Sequence, residues 1–192
     1  MVSSILLAAG KSRRMGSLKQ LLLFQNQPLV LCALTNLAAS SVDEIVLVLG
    51  HDYHKILNIL PGGFGRMKVA INRHYETGLS SSIRCGLNHI ARESEALLVA
   101  LGDQPLIGPE IPDRLISRWR ETGKGILYPT YRRRKGHPVL FSSRFYPALR
   151  TLSGDVGAKA LLAKHRRDAL GVPVKCEGIL VDMDVEADLS HV

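Results

Sequence analysis

With 192 residues, 46% of them hydrophobic and 22% charged, the chain is long enough to bury a sizeable core as one domain and too apolar to be disordered. No apolar run approaches the length that spans a bilayer, and the short apolar start has no basic residues ahead of it, so it reads as a core strand and not as a signal peptide. A net charge of +8 favours anionic ligands, but aromatics are only 5% and just Arg132-Arg133-Arg134-Lys135 forms a cationic run, which argues against nucleic acid as the partner.

Strand-length apolar runs alternate with longer helical segments along the chain, the pattern of an α/β protein. Val2–Ala9 is the first predicted strand, and Pro28–Ala39 a helix with proline in its first turn. Glu44–Gly50, rich in β-branched residues, is a second buried strand. A short helix over His51–Leu60 stops at Pro61-Gly62-Gly63, and Lys68–Asn72 is a third strand. Gly78–Ala91 opens a helix with Ser80, Ser81 and Ser82, any of which can cap it. Ala96–Leu101 is a fourth strand, Pro109–Thr122 a helix and Gly125–Pro129 a strand. Beyond the basic turn, Pro138–Phe141 reads as a strand and Val156–Arg167 as a helix capped by Asp155. Two short strands, Val172–Lys175 and Gly178–Val181, precede an acidic end. Cys32, Cys85 and Cys176 are odd in number and form no CxxC pair, as expected of bystander thiols in a reducing cytoplasm.

Chemistry concentrates where strands end. The first strand runs into Leu7-Ala8-Ala9-Gly10-Lys11-Ser12-Arg13-Arg14-Met15-Gly16-Ser17-Leu18-Lys19. Small residues let the backbone approach a ligand closely, and successive N–H groups in such a loop form an anion-binding concavity. Arg13, Arg14 and Lys19 add positive charge that matches phosphate oxygens. The spacing fits neither a Walker loop nor a dinucleotide fingerprint. Gly102-Asp103 puts a carboxylate just past the fourth strand, where open α/β sheets place ligands, although a lone carboxylate there also serves as a turn former. His51 and His54 have helical spacing but no third ligand, and read as surface histidines.

The string L-A-A-G-x-S-x-R-M-G-x-x-K resembles the signature loop of the MobA-like nucleotidyltransferases. Three further segments resemble the same enzymes. Asn72 with Gly78-Leu79-Ser80-Ser81-Ser82-Ile83 is similar to their nucleotide-contacting segment. Gly102-Asp103-Gln104-Pro105 is similar to their G-D-x-P, and Asp182-Met183-Asp184 to their terminal D-x-D, though Val185, Glu186 and Ala187 depart from the usual T-P-E. Gly136-His137-Pro138 and Gly154-Asp155-Val156-Gly157-Ala158 are similar to segments facing the pterin in the molybdenum-cofactor cytidylyltransferase branch.

That resemblance implies a three-layer α/β/α sandwich with a mainly parallel, Rossmann-like sheet. It implies CMP transfer from CTP to the terminal phosphate of molybdenum–molybdopterin in the cytoplasm, with transient contact with a client molybdoenzyme. Leu7, Ala8, Ala9, Gly10, Lys11, Ser12, Arg14, Lys19, Asn72, Gly78, Ser82 and Gly102 would bind the nucleotide, and His137, Gly154 and Asp155 the acceptor. Mg²⁺ would sit on Asp103 and Asp184, with Asp182 in reserve, while Arg14, Lys19 and Asp103 carry the catalysis. The β-carbon of Ala9, where guanylyl-transferring relatives have L-A-G-G, favours a pyrimidine. A guanylyl or sugar-phosphate transferase of the same fold, or a non-catalytic cofactor carrier, are the alternative expectations.

Overall fold

In the computed structural model, which describes residues 1–11, 18–62, 65–156 and 159–183, the first strand occupies the middle of the sheet. Strand β1 (Val2–Ala8) leads through the hairpin of β2 (Leu23–Phe24) and β3 (Gln27–Pro28) to helix α1 (Leu29–Ala38) and strand β4 (Glu44–Leu49). Helix α2 (Tyr53–Leu57), strand β5 (Met67–Ile71), helix α3 (Leu79–Leu87), strand β6 (Ala96–Leu101) and helix α4 (Glu110–Thr122) follow. Strands β7 (Ile126–Tyr131), β8 (Arg134–Lys135) and β9 (Val139–Ser142), helices α5 (Tyr146–Arg150) and α6 (Lys159–Lys164), and strand β10 (Ala169–Pro173) complete the order.

The strands are arranged β10-β7-β9-β6-β1-β4-β5, with β8 hydrogen-bonded to β7. Pairing is parallel from β6 through β1 and β4 to β5, and again between β7 and β10. Strand β9 runs antiparallel to both of its neighbours. Every residue of β1 and β4 is buried, because helices cover both faces of the sheet and no solvent face is left to demand polar alternation. Leu6, Leu47, Leu34 of α1 and Leu115 of α4 form the core on one face. Ile5, Val46, Ile83 of α3 and Leu149 of α5 form it on the other. This is the three-layer α/β/α arrangement that the sequence implies. Among the described residues no helix is long and apolar enough to cross a membrane.

Helix α3 lies directly on β1: a β-carbon on Gly86 would stand 2.7 Å from Ile5 side-chain atoms. The chain leaves β1 toward β4 on one side, and β6 lies on the other. The carboxyl ends of β1 and β6 therefore flank a crevice of the kind that holds ligands in open α/β sheets.

Several expectations need correction. Gly178–Val181 is not a strand; Glu177–Leu180 is a 3₁₀ turn. A β-carbon on Gly178 would stand 2.5 Å from Leu106, so the segment is wedged against the loop after β6 instead of joining the sheet. The helix expected over Val156–Arg167 is α6 alone, between a 3₁₀ turn at Gly154–Val156 and another at Arg166–Asp168. The Asp155 carboxylate accepts from Leu79 N at 3.2 Å, at the start of α3, while residues 157–158, where a cap of α6 would form, lie outside the described residues. Ser80, Ser81 and Ser82 do not cap α3, since the cap position is Gly78 and all three lie inside the helix. The helix after His51 shrinks to α2. The β2–β3 hairpin and α5 are too short for periodicity to mark them; Gln25 and Asn26 turn the hairpin at φ of 49° and 64°.

Candidate active site

Strand β1 delivers Leu7 and Ala9 to the crevice, and β6 delivers Leu101, Gly102 and Asp103. The two ends are locked together, for Gly102 N donates to the Leu7 carbonyl at 2.9 Å. A β-carbon at Gly102 would lie 3.1 Å from that of Ala8 and 3.2 Å from Leu7 O, so glycine there lets the loop close over β1. Gly50, at the end of β4, is tighter still: a β-carbon would meet Ala9 O at 2.7 Å and the Tyr75 β-carbon at 2.8 Å.

The 3₁₀ turn Lys19–Leu21 brings Lys19 beneath this edge, where its Nζ lies 2.8 Å from Asp103 Oδ2. Lys19 is only 9% exposed. The other carboxylate oxygen, Asp103 Oδ1, is buried and has no hydrogen-bond partner among the described residues. The next residue, Gln20, is also buried; its Nε2 donates to the Gly10 carbonyl at 3.2 Å.

Opposite β1, the start of α3 is tied to a distant segment. Gly78 adopts φ 102°, and a β-carbon there would stand 2.6 Å from the Gly154 carbonyl carbon. Ser80 Oγ donates to Gly154 O at 2.7 Å, beside the bond from Leu79 N to Asp155. Asn72 stands behind this wall: its Nδ2 donates to Ser81 Oγ at 2.8 Å and Ser82 Oγ at 3.0 Å, and its Oδ1 accepts from His74 N.

These segments enclose two adjoining cavities. The first, about 430 Å³, is lined by Ala9, Gly10, Gln20, Gly78, Ser82 and Asp103 among others. At its rim Lys11 is ion-paired with Glu76, and Tyr75 OH stands 3.3 Å from His51 Nδ1. The second, about 530 Å³, is lined by Arg134, Lys135, His137 and Arg166, with Gln104 and Asp182 opposite. Leu79, Leu101 and Asp155 border both cavities and are their common wall.

The structure thus gathers Leu7, Ala9, Gly10, Lys11, Gly78, Ser82 and Asp103 around one cavity and His137 at the other, with Asp155 between. Lys19 reaches the first cavity through Asp103, and Ala8, Gly102 and Asn72 support its walls from behind. Gly154 holds the start of α3 through its carbonyl. Asp182 belongs to the second cavity, where Gln104 Nε2 donates to its Oδ1 at 2.7 Å. Ser12, Arg14 and Asp184 lie outside the described residues. Gln20, Tyr75 and Glu76 line the first cavity without having been singled out in the sequence. For Gln20 the one available signal was its place directly after Lys19.

A family model for the MobA-like NTP transferase domain matches residues 4–169. The chain belongs to the MobA-like NTP transferase family. Among curated relatives of this transferase domain, the bifunctional protein GlmU of Sorangium cellulosum is 29% identical over 57% of the chain, which spans only 24% of that protein. The purine catabolism protein PucB of Bacillus subtilis is 26% identical over 98% of the chain and 94% of its own length. Among solved structures, Rv0371c of Mycobacterium tuberculosis superposes with a TM-score of 0.82 at 25% identity, covering 98% of this chain and 95% of that one. Rv0371c has also been solved in complex with manganese. The chain therefore carries a MobA-like NTP transferase domain of α/β/α architecture.

The residues fit a divalent metal of the hard, oxygen-seeking kind. Asp103 Oδ1 is a buried carboxylate oxygen without a partner among the described residues. No cluster of three or more His, Cys, Asp or Glu surrounds it among those residues. Magnesium sites are commonly built this way, from one or two carboxylates completed by substrate phosphates and water.

Proposed function

We propose that the protein transfers CMP from CTP to the terminal phosphate of molybdenum–molybdopterin, giving the cytosine dinucleotide form and pyrophosphate. The observation that carries this reading is the pair of adjoining cavities, one ending at Asp103 and the other rich in cations, with a common wall at Leu79, Leu101 and Asp155. A triphosphate in the first and an anionic acceptor in the second would meet at that wall.

The attacking group is a phosphate oxygen that is already anionic, so the reaction needs no general base. It forms a new bond to the α-phosphorus of CTP, the bond to the bridging oxygen breaks, and pyrophosphate leaves with the electron pair. Catalysis is then chiefly positioning and charge stabilisation. Gly10, Gly78 and Ser82 would seat the nucleoside, and Lys11 and Lys19 would offset the triphosphate charge. His137, with Arg134, Lys135 and Arg166, would draw the acceptor phosphate. Asp103 would hold Mg²⁺, which supplies neutralisation of the phosphate charge when bound. By resemblance, Ser12 and Arg14 extend the phosphate loop and Asp184 is the second carboxylate. Ala9, which lines the first cavity and stands where guanylyl-transferring relatives have glycine, supports a pyrimidine over a purine. A cytoplasmic location and a client molybdoenzyme belong to the same reading.

The test incubates purified protein with molybdenum cofactor, Mg²⁺ and each nucleoside triphosphate in turn, following pyrophosphate and dinucleotide product. Turnover with CTP alone, lost in Asp103→Ala, is the expected result. Turnover with GTP would keep the chemistry and overturn the reading of Ala9. Tight cofactor binding with no turnover would replace the enzyme with a carrier.

A further inference from the structure

Gln20 has an arrangement that the roles assigned so far leave unexplained. It is 6% exposed and is one of the residues that line the first cavity. The orientation of that amide is determined chemically. Nε2 donates to the Gly10 carbonyl at 3.2 Å, and the flipped amide would set two acceptor oxygens against each other. Its carbonyl oxygen, Oε1, is consequently fixed on the other side, where it is buried and has no partner among the described residues. Burying an acceptor without a partner is costly, and native structures rarely leave one so unless a ligand completes it.

We infer that Gln20 is a nucleotide-recognition residue whose Oε1 accepts a hydrogen bond from the nucleoside, while its Nε2 holds the Gly10 turn in position. The inference rests on the reading of the first cavity as the nucleotide site. Phosphate oxygens are acceptors and cannot satisfy a carbonyl oxygen, so the partner is an N–H or O–H donor of the nucleoside. Two groups have that chemistry: a ribose hydroxyl and the exocyclic amine of the base. Lys19 and Gln20, adjacent in one 3₁₀ turn, then divide the nucleotide between them, the lysine meeting its charged end and the glutamine its neutral one.

The experiment measures equilibrium binding by titration calorimetry, with Mg²⁺, of CTP, 2′-deoxy-CTP, 3′-deoxy-CTP and UTP to wild type and Gln20→Met. Methionine keeps the length of the side chain and removes both polar atoms. CTP should bind the variant about tenfold more weakly, the loss expected when a buried donor is left unmet. That penalty should shrink for the one analogue lacking the donor, a deoxynucleotide if the ribose is read or UTP if the amine is, down to the part that loss of the Gly10 bond imposes on all four. The wild-type comparison keeps the test open if Gln20→Met fails to fold: wild type should bind CTP more tightly than it binds the analogue lacking the donor, and equal affinity for all four would overturn the inference. A penalty equal for all four nucleotides would overturn the inference, since a role confined to Gly10 predicts it. Unchanged affinity for CTP would overturn it as well. If wild type binds none of the four, the reading of the cavity itself fails, a result distinct from either.

Discussion

Asp103 has one oxygen engaged by Lys19 and the other without a hydrogen-bond partner among the described residues, a division that a neutral amide reproduces in shape but not in charge. Asp103→Asn should therefore keep the fold and lower turnover by about 10²–10³, the scale of losing one group that stabilises developing charge. Initial rates measured beside thermal melting check this, and a variant as active as wild type would remove Asp103 from the chemistry. Asp155 is a different case, because its carboxylate caps a helix 76 positions away in sequence. Asp155→Ala should cost about 1 kcal/mol, read as a melting point lower by about 2–4 °C. At this scale the sequence is legible where the backbone announces a site, as at Gly102-Asp103, placed immediately after an apolar run. It is not legible where the partner is remote. Asp155 looks like the cap of the segment that follows it, and Gln20 looks like an ordinary polar residue until the turn brings it under Gly10.

Helix α3 is pressed onto β1 at Gly86 and clasped at its start by Gly154 and Asp155. Alanine at an exposed helical glycine would be worth about 1 kcal/mol in propensity. At Gly86 the new methyl would instead collide with Ile5, which is fully buried. Gly86→Ala should destabilise by about 1–3 kcal/mol in denaturant titration. The double variant with Ile5→Val should recover part of that, whereas simple additivity of the two losses would show that the contact is not the cause. Elements buried on both faces, such as β1, β4 and β6, are plain in the sequence because apolar runs of strand length have few other uses. Gly178–Val181 shows the limit. Its composition suits a strand, but its glycine fits under Leu106 and the segment turns as a 3₁₀ helix instead.

Across the whole molecule, the edge of the sheet opposite the cavities is tied by one buried carboxylate. Glu44 accepts from Ser3 Oγ at 2.6 Å, from Lys68 Nζ at 2.9 Å and from the Ala91 N–H. Burial pushes its carboxyl up, but these donors outweigh burial and hold it below the ordinary glutamate range. A carboxyl depressed on folding contributes stability that is full above its unfolded value and is lost as pH falls through the folded one. Stability should therefore fall on acidification below the ordinary glutamate range. In Glu44→Gln that dependence should flatten, with a loss of about 1–3 kcal/mol at neutral pH from mismatched donors. Parallel acid titrations of the two proteins would refute this if the curves stayed a constant distance apart.

The reversed strand β9 has a consequence for how such proteins diversify. Parallel strands present their carboxyl ends at the cavities, but β9 enters the sheet there, so His137 precedes its strand while Asp103 follows one. Residues that bound the first cavity come mostly from β1 through β6, and the cations of the second from the segments around β8 and α6. Under the proposed function the inheritance of the two specificities is separable: the later portion of the chain could drift toward a new acceptor while the earlier portion went on recognising the same donor. Grafting residues 126–183 from a relative with another acceptor should transfer that preference, provided that the graft's counterparts of Leu152, Gly154 and Asp155 fit the host's α3.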